Sequence, residues 1–262
     1  MNKILAIAHN TFREAIRQKL LYGLVFFTVL LIFATYFLGQ LSIIESKLKI
    51  VEDMGLATIF IMGVFISLSM GISLVFKEID RRTIYTILSK PVSRLEFIMG
   101  KFFGLIFTVG VQLFLMMSLL FLLLSTYPEP LDWNLWKAAI LIFTELCILV
   151  SITLMFSSYS SSFMTSLFCF SLLIVGHLTD DVALIIGKKI KEIDQPEFAA
   201  SMSGMQKIFQ VFNLDHFAIN DKIVHGVPIS WSYVGYGILY GACFVFIFLL
   251  IANFLFSKKD LK

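Results

Sequence analysis

Two groups of residues in this chain have types and spacing that suggest chemistry. The first is Glu145, the one acidic residue in the long apolar run Lys137–Phe156. An ionised carboxylate in such surroundings is costly, so it is a functional candidate by default, for example as a proton relay. The plain alternative is a protonated or hydrogen-bonded carboxyl at a helix contact, with Thr144 and Ser151 as polar company. The second group is the stretch Lys77–Lys101, which carries six basic residues against three acidic ones, Glu78, Asp80 and Glu96. Within it Ile84, Ile87 and Leu88 follow helical spacing and give a short helix with one apolar face. Pro91 breaks that helix, because the residue before a proline is pushed out of the helical region. Ser93 and Glu96 then form an S-x-x-E capping box, which starts a new helix running through Gly100 and Lys101. A helix–break–helix elbow of this kind reads as a docking element for a soluble partner; its bland reading is a solvated basic loop.

Other candidate chemistry is sparse. His9, His177, His216 and His225 are scattered, and His216 and His225 with Asp215 and Asp221 match no metal-ligand spacing. No metal site is therefore expected. Cys147, Cys169 and Cys243 lie in apolar runs without a CxxC, which excludes a disulfide framework or a structural zinc. No G-x-x-x-x-G-K-[ST] occurs, so the chain carries no phosphate-binding loop of its own. The paired polar groups of an intramembrane protease or lipid-processing enzyme are not found in any apolar run either.

The elements that position these residues are set by composition. Of 262 residues 58% are hydrophobic and 15% charged, with 28 phenylalanines and a mean hydropathy of +0.89. Soluble domains have about a quarter charged residues. This is an all-α polytopic membrane protein, and its net charge of +3 sets orientation in the bilayer and does not point to nucleic acid. Six runs are long enough to span: Leu20–Gly39, Met54–Phe76, Phe102–Ser125, Lys137–Phe156, Ser161–Leu178 and Tyr233–Phe256. The fifth is the least clear, because Asp180 and Asp181 follow it closely. The turn between the fourth and fifth, Ser157–Ser162, is short and uncharged.

Lysine and arginine bias places the N-terminus, the Lys77–Lys101 loop and the tail (Lys258, Lys259, Lys262) on the cytoplasmic side. Trp133, Trp136 and Trp231, with Tyr127 and Tyr233, map to the opposite interface as an aromatic belt. The first apolar run is too long for a cleavable leader and is expected to stay in the membrane. Before it, Ile4, Leu5, Ala8, Phe12, Ala15 and Ile16 are spaced three and four apart, which predicts an amphipathic helix lying in the leaflet or an N-terminal extension of the first span. Between spans five and six, VALIIGKKIKEI and MQKIFQVFNLDHFAI predict two short outer helices, too small for an enzyme domain. Gly100-x-x-x-Gly104 and Gly237-x-x-x-Gly241 permit close helix approach, within or between subunits. The chain thus reads as one domain, 1–262, with an interfacial helix (1–19), a cytoplasmic elbow (77–101) and an outer segment (180–230).

The elbow also carries a family resemblance. Glu78, Thr83, the run Leu88–Arg94, Glu96, Gly100 and Lys101 resemble the first cytoplasmic loop of type-2 ABC export permeases. The N-terminal helix, six spans, short second cytoplasmic turn and larger outer segment follow the same family over nearly the whole chain. Its nearest flavour is the group that includes the nitrous oxide reductase maturation permease. The resemblance implies a transport subunit, not an enzyme, in the bacterial inner membrane with both termini cytoplasmic. It implies partners too: a cytoplasmic ATPase dimer that binds ATP and Mg2+, and a second permease copy or paralogue. The coupling contact would fall on Glu78, Arg81, Arg82, Thr83, Ile84, Ile87, Leu88, Pro91 and Arg94, with Ser158, Tyr159 and Ser160 as a minor contact. In such an exporter Glu145 would touch cargo or lock the dimer. A contrasting reading is an ion-coupled carrier or channel built on Glu145. The cargo is not identified.

Overall fold

The computed structural model describes residues 3–41, 47–80, 93–128, 132–192, 211–218, 227 and 229–258. Those residues form an α-helical bundle with no strand among them. In chain order the helices are α1 (Lys3–Ile16), α2 (Lys19–Leu41), α3 (Lys47–Asp80), α4 (Arg94–Leu124), α5 (Leu135–Ser157), α6 (Ser162–His177), α7 (Thr179–Glu192) and, after a 3-10 turn at Asp215–Phe217, α8 (Trp231–Lys258). Five of them, α2, α3, α4, α5 and α8, are long and apolar enough to cross a membrane. A sixth crossing exists if α6 and the start of α7 are counted as one span.

The fifth expected run, Ser161–Leu178, forms α6, which stops at His177 and bends by 51° into Thr179–Ile185. Sixteen residues rise only about 24 Å, less than the roughly 30 Å of a hydrocarbon core. The bend sits where the polar run Thr179-Asp180-Asp181 opens α7.

α5 is the hub, in contact with α3, α4, α6 and α8. Its residues are buried on nearly every side, which explains why its sequence is apolar all round and not striped. Glycines let neighbours approach it. A Cβ at Gly63 or Gly71 of α3 would fall 2.7 Å from Leu146 or Thr153, and one at Gly237 of α8 would fall 2.7 Å from Leu141. Gly241 is likewise closed off by Thr144. The Gly237/Gly241 pair therefore packs within this chain.

Gly100 and Gly104 also pack internally, against α1. Gly100 meets Ile7 and the Ile4 carbonyl, Gly104 meets Ala8 and Thr11, and the Phe12 ring stands 4.7 Å from that of Phe107. These contacts climb together along both helices, so α1 runs parallel to the first turns of α4. The buried stripe of α1 is centred on Thr11 and Ala15, while Leu5 is 61% exposed. Ala8 and Ala15 of the expected apolar face pack inward, with Ile7 and Thr11 beside them at the glycine notches, whereas Leu5 and Ile16 of that face are exposed. Leu5 and Phe12 instead edge a 720 Å³ apolar groove with Phe103, Phe107 and Phe143.

The bundle has two chemically distinct ends. At one, Arg94 reaches the last turn of α8, and Lys3 lies 3.9 Å from Glu96. At the other, Trp136 stacks on Phe121 at 5.2 Å, and Lys137 sits 5.2 Å from the Trp231 ring while donating to the Ile229 carbonyl. All three tryptophans belong to the end opposite the elbow.

Candidate functional site

At the elbow end, the expected capping box of α4 is formed in full. The Glu96 amide donates to Ser93 Oγ at 3.2 Å and the Ser93 amide donates to Glu96 Oε2 at 2.7 Å. The next residue, Arg94, has partners within the bundle. Its Nη1 donates to the carbonyls of Phe256 at 2.7 Å and Ser257 at 2.5 Å, and its guanidinium lies 5.9 Å from the Phe256 ring centre. Carbonyls at a helix C-terminus lack intrahelical partners and attract a cation. Phe97 stacks on Phe256 at 5.8 Å alongside. Arg94 therefore clamps the start of α4 to the end of α8. Lys101, almost fully buried, holds its ammonium 5.9 Å from the Phe97 ring.

The remaining elbow residues expected to contact a partner, Arg81, Arg82, Thr83, Ile84, Ile87, Leu88 and Pro91, lie outside the described residues. Glu78 belongs to the last turn of α3. The second turn is split in character. Ser158 is buried and its hydroxyl donates back to the Leu154 carbonyl, while Tyr159 is half exposed and Ser160 follows it in the turn. Ser161 caps α6 by accepting from the Met164 amide.

At the other end lies a polar junction that the spacing of residues did not reveal. Glu145 is 3% exposed, and His177 Nε2 stands 3.4 Å from its Oε1. The gap beside it is about 10 Å³ and lined by apolar side chains such as Val64, Ile148 and Leu214, too small and dry for a useful water. The other imidazole nitrogen, Nδ1, is 3.2 Å from the Leu173 carbonyl, which can only accept, so Nδ1 carries a hydrogen. Nε2 therefore faces the Glu145 carboxyl, and the two can pair. Glu145 is a partnered carboxyl at the contact of α5 with the bend of α6.

The bend is stitched to the segment before α8. The Leu214 amide donates to the Gly176 carbonyl at 3.0 Å, Asn213 Nδ2 donates to Asp180 at 2.7 Å, and the Asp215 amide donates to Asn213 Oδ1 at 2.9 Å. Tyr240 of α8 accepts from the Asn213 amide and donates to the Val211 carbonyl. Burial, and next the hydrogen-bonded Asp180 carboxyl, push the Asp215 carboxyl above its ordinary range, with His177 pulling the other way. The outer helix expected across Met205–Ile219 does not run through 212–218. There the Asn213 side chain bonds nearby backbone and offers it a turn in place of a helix. Phe217 is buried and faces Gly241, so this segment dips into the bundle.

His177, Asn213 and Tyr240 were the residues missed. The one signal for them was Asp180-Asp181 placed directly after an apolar run. Among the described residues no group of three or more His, Cys, Asp or Glu is arranged to hold a metal ion.

A helical bundle with five or six apolar crossings, a charged helix junction at one end and an aromatic belt at the other is that of a multi-pass membrane protein. The chain belongs to the ABC-2 family transporter proteins: the model of that family matches residues 5–261. It is thus a membrane component of an ABC transporter, a family that associates with ATPase partners. No curated protein matches it at a significant level.

Proposed function

We propose that this chain is the membrane-spanning subunit of an ATP-binding cassette exporter, driven by ATP and Mg2+ on a separate cytoplasmic ATPase dimer. It works as a pair with a second copy or a paralogue, in a bacterial inner membrane with both termini inside. The observation that carries this reading is that α3 ends at Asp80 and α4 begins at Arg94, at the end of the bundle where Arg94 reaches the last turn of α8, so the basic sequence 81–92 joins two apolar helices there. ATP-driven closure of the motor pushes on that segment, and the Arg94 clamp passes the motion to α8. The narrower grouping with the nitrous oxide reductase maturation permease is carried by element order alone.

The test is copurification in mild detergent followed by reconstitution. A soluble ATPase should copurify, and reversing Arg81 and Arg82 to Glu should leave its hydrolysis running without transport. Wild-type coupling in that variant would remove the main support for the reading. The Glu145–His177 pair keeps one other reading open, an ion-coupled carrier. ATP-independent flux in vesicles holding this chain alone would favour it, and Glu145→Gln should then abolish that flux.

A further inference from the structure

The 720 Å³ groove edged by α1 has the volume of a ligand site. It opens on the outside of the bundle, where Phe107 and Phe114 are each 58% exposed. On α4 its lining runs from Phe103 to Leu115, with Phe107, Gly110 and Phe114 between them at three- and four-residue spacing. Twelve steps of helix rise about 18 Å, close to the roughly 15 Å of one leaflet's hydrocarbon. Gly110 leaves a notch in that stripe, and the Phe143 ring of α5 stands beside it: a Cβ there would lie 3.2 Å from the ring.

One end of the groove is polar. His9 is its one titratable lining residue, and it belongs to α1, which covers the end marked by Gly104 and Phe107. The row Leu5, His9, Arg13 climbs α1 in four-residue steps along one side of the helix, and Arg17 follows just past its last residue. Arg13 and Arg17 are exposed, and Glu14, the one acid of α1, lies off that row. An apolar slot one leaflet long with a basic edge fits an amphiphile whose tail is hydrocarbon and whose head is acidic. Basic segments beside a bilayer attract anionic lipids in this way.

We propose that this groove holds an anionic diacyl phospholipid of the elbow-side leaflet, with one acyl chain along Phe103–Leu115 and the head group at the His9–Arg13 edge. The site goes beyond the coupling proposal, and its test needs neither ATPase nor transport, so either can fail without the other. The full chain is purified in a neutral maltoside detergent and titrated with dioleoyl phosphatidylglycerol or dioleoyl phosphatidylcholine, with native mass spectrometry reading the bound lipid. One phosphatidylglycerol per chain should bind, about fivefold or more tighter than phosphatidylcholine, the factor expected of one basic residue beside the head group. Arg13→Glu should erase that preference. Phe114→Ala should weaken both lipids about threefold or more by removing a wall of the slot. Both side chains are exposed, so neither replacement disturbs the fold. Phe37→Ala is the control for lipid that merely coats the bundle, since Phe37 is exposed on α2 and is no part of the groove. Absence of binding, equal affinity for the two lipids, a preference that survives Arg13→Glu, or a loss in Phe114→Ala no greater than in Phe37→Ala overturns the proposal.

Discussion

Arg94 shows how a residue's type is legible when its partner is not. A basic side chain beside a capping box suggested outward contact, yet its partners are carbonyls 162 and 163 positions later in the chain. Ser93 and Glu96, by contrast, are three apart, and local spacing sufficed to read their bonds. Replacing Arg94 with Ala should cost about 1–3 kcal/mol, from two charge-assisted hydrogen bonds at a helix end. Lys should recover only part of it, because a single ammonium lacks the guanidinium's fixed fork of donors for two adjacent carbonyls. The thermal midpoint in detergent checks both. Asp215 makes a pH-dependent prediction. Its folded-state carboxyl is raised above the ordinary 3.8, so the folded protein holds the proton more tightly than the unfolded chain. That contribution is complete below 3.8 and lost as pH rises through the folded value. Midpoints measured from acid to neutral pH should fall in the wild type, and more shallowly in Asp215→Asn.

At the scale of elements, the apolar runs located the helices, since a span is a matter of length and hydropathy. Helix partners were harder to read. Gly100 and Gly104 announced a close approach, but nothing local said that α1 would fill it. On α3, Gly55, Gly63 and Gly71 recur every eight residues and face Leu120, Leu146 and Thr153. Gly63, Ser67 and Gly71 form a small-residue step of four, while Ile59 interrupts the same step between Gly55 and Gly63. Gly63→Leu should therefore lower stability by about 1–3 kcal/mol through overpacking. Gly23→Ala, at a position with nothing within 4 Å, should leave the midpoint unchanged or raise it. Thermal unfolding of the pair separates packing from helix propensity. The bend after His177 and the turn at Asn213 escaped the sequence for a related reason. Both are set by hydrogen bonds across 33 positions between Asp180 and Asn213.

At the scale of the whole molecule, the α1–α4 contact has a bearing on biogenesis. Gly104 follows Thr11 by about ninety residues, so a ribosome making roughly 5–20 residues per second leaves α1 without its groove for about 5–18 s. Through that interval its apolar side has only the lipid surface to rest on, the situation its amphipathic sequence suits. A nascent chain stopped before Arg94 should leave a cysteine placed at Thr11 open to labelling by a water-soluble maleimide. The finished protein should protect it. Equal labelling of both would mean that α1 finds cover without α4. The glycine notches then act as a late-arriving berth: α1 waits to be moored until a helix about ninety residues behind it has been made.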